Sequence, residues 1–395
     1  MSIDTDLQRL RSEFPILATT VYMNSNSLGA MPRAVYDEMR AFADLWATRG
    51  VRAWHDGWID MVSETGDLYA DVLDAEHGTV TMLQNVTIAE WIIASCFEFT
   101  PRRPKVVYTD MNFPSVMYVW EEQRRRGAEV VMVPSEDGIR VDLQKLLDAI
   151  DERTLLVPVS HVLFRSAFIQ NAAAIVEKAH KVGAMVVLDT YQSAGCVPVS
   201  AKKLGVDFIV GGSVKWLCGG PGAGYMYVRP DLAKRLRPMN VGWFAHKRPF
   251  QFETGAVDLR DGAGRFDSGT PHIPALYAAR SGVRIIRDLG VERIRRNSLA
   301  LTDRIIERAE RRGFELTVPR DHEHRGGTVA FNVPHSRQVT KELLAREFIV
   351  DWRPLAGIRV SPHFYSTAAE CDRTVDEISA ILDSRAYEKH SDDIY

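Results

Sequence analysis

Between residues 105 and 212 five short apolar runs recur, each set off from the next by a stretch with helical spacing: KVVYTD (105–110), AEVVMVP (128–134), TLLVPVSH (154–161), AMVVLD (184–189) and VDFIVGG (206–212). No other feature of the 395 residues constrains the fold so strongly. The intervening segments, such as IVEKAHKVG, carry apolar residues at helical intervals and end in glycine. Short buried strands alternating with such helices make βαβ units, and so an α/β fold with a mostly parallel sheet. GAGYMYVRP (222–230) reads as a further strand. From about residue 280 the pattern changes to a long charged helix, then TVAFNVP (328–334), a helix near 338–346 and the strand-like GIRVSPHF. We therefore expect an N-terminal segment (1–48) packing with the small domain, a large domain over 49–285, and a smaller α+β domain over 286–395.

Composition narrows the partners. A net charge of −3 gives no reason to expect nucleic acid, and the basic runs at 124–126 and 293–296 are interspersed with acids as on solvated helix faces. No apolar run approaches the roughly 18–20 residues of a membrane span. The N-terminus MSIDTDLQRLRSEF has no signal-peptide pattern. Cys96, Cys196, Cys218 and Cys371 are scattered without a CxxC pair, which fits a reducing cytoplasm and neither a disulfide scaffold nor a zinc site. His322 and His324 lack a third ligand at metal spacing, so no metal is expected.

One stretch is chemically odd. GGSVKWLCGGPGAG (211–224) holds a single lysine, Lys215, among apolar residues and glycines. An ammonium buried there either reaches out to solvent or is partly desolvated and reactive. The glycines lack GxGxxG spacing and a following helix, so a tight turn is expected and not a dinucleotide site. In a parallel sheet ligands bind beyond the carboxyl ends of the strands. Asp110, Ser160–His161, Asp189 and Ser213–Lys215 all stand at such ends.

Six segments together resemble the fold-type-I pyridoxal phosphate (PLP) enzymes of the class-V aminotransferase group, and within it the kynureninases. They are YMNSNSLG (22–29), NFPS (112–115), LDTYQSAG (188–195), SVKWLCGGPGAG (213–224), VGWFAHKRPFQF (241–252) and WRPLAGIRVSPHFY (352–365). The resemblance implies a large domain built on a seven-stranded, mostly parallel sheet plus a smaller C-terminal domain, with pyridoxal 5'-phosphate as cofactor. It implies that Lys215 carries the cofactor as a Schiff base and that Asp189 faces the pyridine nitrogen, so that the ring accepts electrons from the substrate. Phe113 would stack on the ring. Val86 and Thr87 would hold the phosphate at a helix start, with Ser115, Ser213 and Trp243 adding contacts. Gln192 would sit beside the ring 3′-oxygen. Thr270 would reach the phosphate from a second subunit, which makes the expected assembly a homodimer with its active site at the interface. Arg359 would grip the α-carboxylate of a small amino-acid substrate, with Asn26, Ser27, His55, Phe244 and His246 nearby.

The chain also departs from the kynureninase pattern. Val214 stands where a tyrosine usually precedes the lysine, and Val116 replaces an acid. Leu163 and Phe164 replace an asparagine and a tyrosine, and Gln192 replaces a histidine. The cofactor and carboxylate grips are kept, while polar groups around the leaving part of the substrate are depleted. The first expectation is hydrolytic Cβ–Cγ cleavage of a kynurenine-type γ-keto amino acid, releasing alanine. The alternatives are a C–S lyase or β-eliminase, an epimerase or an aminotransferase acting on another amino acid. A ligand-binding protein without turnover is a third class, disfavoured because it has no need of Lys215, Asp189 and Arg359 together.

Overall fold

The computed structural model describes residues 3–391 and 393. Its strands are β1 (Val21–Tyr22), β2 (Val80–Leu83), β3 (Lys105–Thr109), β4 (Glu129–Val133), β5 (Thr154–Ser160), β6 (Met185–Asp189), β7 (Phe208–Gly212), β8 (Gly224–Val228), β9 (Glu315–Leu316), β10 (Val329–Asn332), β11 (Phe348–Ile349), β12 (Asp351–Arg353) and β13 (Gly357–Val360). The helices are α1 (Val35–Arg49), α2 (Met61–Val72), α3 (Val86–Ser95), α4 (Pro114–Glu122), α5 (Leu143–Ala149), α6 (Ala172–Lys181), α7 (Ala201–Leu204), α8 (Pro230–Arg235), α9 (Ile273–Leu289), α10 (Val291–Arg311), α11 (Ser336–Ala345) and α12 (Ala368–Ser384).

Seven strands form the large sheet in the order β2-β8-β7-β6-β5-β3-β4. Only β8 runs against its neighbours, being antiparallel to both β7 and β2. The apolar runs become its central strands because both faces are covered, as parallel sheets require. Strand alternation sends Val186 and Leu188 of β6 into one core and Val187 into another, the core that also holds Val86, Ala89 and Ile93 of α3. Asp189 shares the parity of Val187, so its side chain leaves β6 on the α3 face. The strand β2 was not among the segments read as strands. It is four residues long, and its last residue lies only three before α3 begins.

The second sheet, β12-β13-β10-β9, is antiparallel and carries its own core of Leu301, Ile305, Val329, Phe331, Val339, Ile358 and Val375. Residues 3–24 reach both cores: β1 pairs with β11, and Val21 and Met23 enter the small-domain core, while Leu7, Phe14, Leu17 and Tyr22 join the large one. Arg11 holds Glu370 at 2.7 Å and Asp4 pairs with Arg293 at 2.6 Å. The remainder of the 1–48 segment behaves differently. Helix α1 lays Met39, Phe42 and Leu45 on the large-domain core, where Phe42 stacks on Trp58 and meets Tyr277 of α9. The long charged stretch is divided by Gly290 into α9, packed on the large sheet, and α10, packed on the small one. Among the described residues no helix is long and apolar enough to cross a membrane, and no group of three His, Cys, Asp or Glu side chains could hold a metal ion.

Candidate active site

Beyond the carboxyl ends of β5, β6 and β7 lies a cavity of about 310 Å³. The first turn of α3, led by Asn85, closes one side, and Phe113, which begins α4, closes another. Asn85 caps α3 by accepting a bond from the Ile88 amide at 3.1 Å, leaving the amides of Val86 and Thr87 as unclaimed donors of the first turn. Of the cofactor residues expected from sequence, Val86, Thr87, Phe113, Ser115, Asp189, Gln192 and Lys215 all line this cavity.

Lys215 follows β7 by three residues because the glycine-rich turn folds back tightly. The Ser213 amide bonds the Ala223 carbonyl at 3.0 Å and the Gly219 amide bonds the Ser213 carbonyl at 2.9 Å. Its amine sits between two aromatic rings, 4.6 Å from the Tyr191 centroid and 5.3 Å from that of Phe113. Burial brings its pKa down to about 7, helped by the positive charge of Arg359 and opposed by Asp189 and Asp351. The lysine is thus desolvated, and near neutral pH a large share of it is the free amine that can act as nucleophile or base.

Asp189 is buried on the adjoining strand end. Its carboxylate accepts from the Tyr191 amide at 2.9 Å and from the Ser160 hydroxyl at 3.3 Å. Burial raises its pKa, and Lys215 partly offsets that. Such an acid calls for a cationic partner, which a protonated pyridine nitrogen would supply. Gln192 has its amide fixed at both ends: it donates to the Asn26 carbonyl at 2.9 Å and accepts from the Trp216 indole at 3.0 Å. The side chain of Asn26 is buried with neither its oxygen nor its nitrogen bonded. A buried carboxamide in that condition suits a polar ligand.

Other expected residues lie elsewhere. Ser213 spends its hydroxyl on the Gly220 and Ala223 carbonyls, at 2.9 and 3.0 Å, and does not line the cavity. Its position inside the turn, two residues before Lys215, points it at the glycines. Arg359 is buried, but its guanidinium is engaged: Nε bonds Asp351 at 2.8 Å, Nη2 bonds the other oxygen of Asp351, and Nη1 bonds the Phe164 carbonyl at 2.6 Å. Ser27 accepts from Arg353 at 3.3 Å. Trp243 belongs to an aromatic group with Trp54, Phe244, Phe250 and Phe252. His55 packs against Phe250, and His246 accepts from the Arg248 amide at 3.0 Å. Phe244 and Thr270 border a separate crevice with Gln84 and Asp267.

Sequence reading passed over Tyr191, Asp351 and Arg353. Tyr191 lay in plain view two residues after Asp189. Asp351 stands directly across from Arg359 on the β12–β13 hairpin. An acid eight residues before an arginine, across a Pro and a Gly, was the available signal.

The model of the family described as "Aminotransferase class-V" matches residues 21–373. A kynureninase of Pseudomonas fluorescens is 30% identical, the alignment covering 96% of this chain and 94% of that protein. The "Uncharacterized aminotransferase YcbU" of Bacillus subtilis (strain 168) is also 30% identical, over 94% of this chain and 97% of its own length. Among solved structures, an apo cysteine desulfurase from Thermococcus onnurineus NA1 superposes with a TM-score of 0.85 at 23% identity, covering 97% of this chain and 99% of that one. With the match spanning most of its length and a buried lysine, a strand-end aspartate and a helix N-terminus converging on one cavity, the chain belongs to the class-V aminotransferase family of fold-type-I pyridoxal-phosphate enzymes.

Proposed function

We propose that the protein is a kynureninase-type hydrolase, cleaving the Cβ–Cγ bond of an L-amino acid that bears a γ-carbonyl and releasing alanine. The observation that carries this reading is Lys215: an amine brought to about pKa 7 by burial, in a cavity lined by Asp189 and the start of α3. Similarity to a kynureninase over nearly the whole chain supports it. When bound, pyridoxal phosphate supplies the electron sink for charge developing at the substrate α-carbon. Lys215 takes the α-proton on its Nζ and returns a proton to the product. Asp189 would hold the protonated ring nitrogen of the bound cofactor. Arg359, one edge of whose guanidinium Asp351 fixes, would turn its Nη1 from the Phe164 carbonyl to the α-carboxylate, and the unbonded carboxamide of Asn26 would add a donor. A second copy of the chain would bring Thr270 to the phosphate end of the cleft. Four free cysteines are in keeping with a reducing compartment.

A second reading, β-elimination or transamination of another amino acid, is favoured by the cavity wall. Val162, Phe164 and Val214 line it and offer no hydrogen bond to a leaving group. Desulfuration is disfavoured within that reading, because burial raises the pKa of all four thiols, Cys96 and Cys218 to about 12. Holoprotein incubated with kynurenine and 3-hydroxykynurenine decides between them. Alanine together with the aromatic acid is the expected result. Pyruvate, ammonia or a keto acid from other amino acids, with neither product from kynurenines, selects the second reading.

A further inference from the structure

We infer that the hydroxyl of Tyr191 is a donor to the cofactor phosphate, completing from the turn after β6 the anion site that α3 begins. This rests on the pyridoxal-phosphate reading of the cavity and adds to it a residue from outside the helix start and the lysine turn.

The argument is one of sheet parity. Gly212 of β7 and Gly224 of β8 are cross-strand partners, so their side-chain directions share one face and lie about 5 Å apart. A Cβ on Gly224 would stand 2.8 Å from the Cα of Asn85, the residue that caps α3. A Cβ on Gly212 would stand 2.4 Å from the Tyr191 hydroxyl oxygen. The hydroxyl and the start of α3 therefore press against the same face of the β7–β8 pair, at adjoining positions where only glycine leaves them room.

The hydroxyl is also uncommitted. Tyr225, on the opposite face, bonds Thr190 at 2.8 Å, whereas the Tyr191 hydroxyl bonds nothing among the described residues. Tyr191 lines the cavity together with Val86, Thr87 and Ser115. Burial, and then the charge of Asp189, raise its pKa to about 12, so at neutral pH it keeps the proton that it can donate to an anion. An anion within reach of that proton and of the first amides of α3 receives donors from two directions. Val214 offers no such group, and Ser213 spends its own on the turn.

The test compares two vitamers on Tyr191→Phe, a change that keeps the ring beside Lys215 and removes only the hydroxyl. Dissociation constants for pyridoxal 5'-phosphate and for pyridoxal, which lacks the phosphate, are measured by absorbance titration on the unliganded protein. The expected result is about a tenfold or larger loss of affinity for the phosphorylated vitamer, as for a lost charge-assisted hydrogen bond, with pyridoxal unchanged. Unchanged pyridoxal binding also reports an intact fold. Equal losses for both vitamers, or no loss for either, overturn the inference. Borohydride fixation on the wild-type protein separates the two levels. A wild type that fixes no vitamer at Lys215 fails the cofactor reading. A wild type that does so, beside a variant that discriminates as wild type does, fails only the role of Tyr191.

Discussion

The cavity around Lys215 and the aromatic region at residues 243–270 hold the two halves of the expected site, and they are built differently. Each cavity residue other than Phe164 stands at a strand end, in the turn just beyond one, or at the start of a helix. There the backbone bonding of the sheet and the cap at Asn85 fix its direction. Trp243, Phe244, His246 and Thr270 sit on short turns, tied by ring contacts among Trp54, Trp243, Phe250 and Phe252 and by backbone bonds such as those from Phe244 to Ser268 and from Arg260 to Ala245; Phe252 is 72% exposed. The cavity is lined by residues of one chain. The other region leaves Phe252 and Thr270 exposed while Phe244 is buried beneath them. The lesson is that a sheet edge can gather polar groups around one cavity, whereas the 243–270 turns leave theirs outside it.

The largest expected effect breaks the first half of the comparison. Lys215→Ala should lower turnover by roughly 10³-fold and abolish the borohydride-fixed adduct on the peptide spanning residue 215, read by mass spectrometry. Substantial activity in that variant would mean the cavity is not where the chemistry happens.

A smaller effect sharpens the second half. Thr270→Ala should weaken pyridoxal phosphate binding by about tenfold. Mixed with Lys215→Ala under subunit exchange, it should restore one intact site per hybrid dimer, and turnover should rise above that of either variant alone. No gain on mixing, with exchange verified, would place Thr270 at its own chain's site or at none.

The smallest effect concerns stability without cofactor. The folded protein releases the Lys215 proton near pH 7, the unfolded chain only near 10.5. Between those values the unfolded state binds more protons, so raising the pH favours folding through this group. The unliganded Lys215→Met variant should therefore melt a few degrees above wild type at pH 7, with the gap closing toward pH 10.5. A gap that stays constant with pH would show that the lysine is not desolvated.

Much of this was legible in the chain. The five apolar runs became β3 to β7 because residues with covered neighbours on both sides have no alternative use for a short apolar stretch. Asp189 and Lys215 stood out because a charged group ending such a run must face the ligand side of the sheet or a partner. Other features were not legible, for reasons of scale. The four residues of β2 carry too little pattern to mark a strand. Helix α1 shows an apolar stripe, but nothing in the stripe says which core receives it. Arg359 reads as a free guanidinium until the β12–β13 hairpin sets Asp351 across from it.

The chain alone therefore determined the layered α/β plan and the two charged groups at its ligand edge, since period and burial are local properties of the residues. Folding in three dimensions decided which hydroxyls and amides turn toward the cavity. Ser213 and Tyr191 lie two residues from Lys215 and Asp189, yet only Tyr191 lines it. Side-chain direction at a strand end depends on which neighbour leaves room, and that neighbour is remote in sequence.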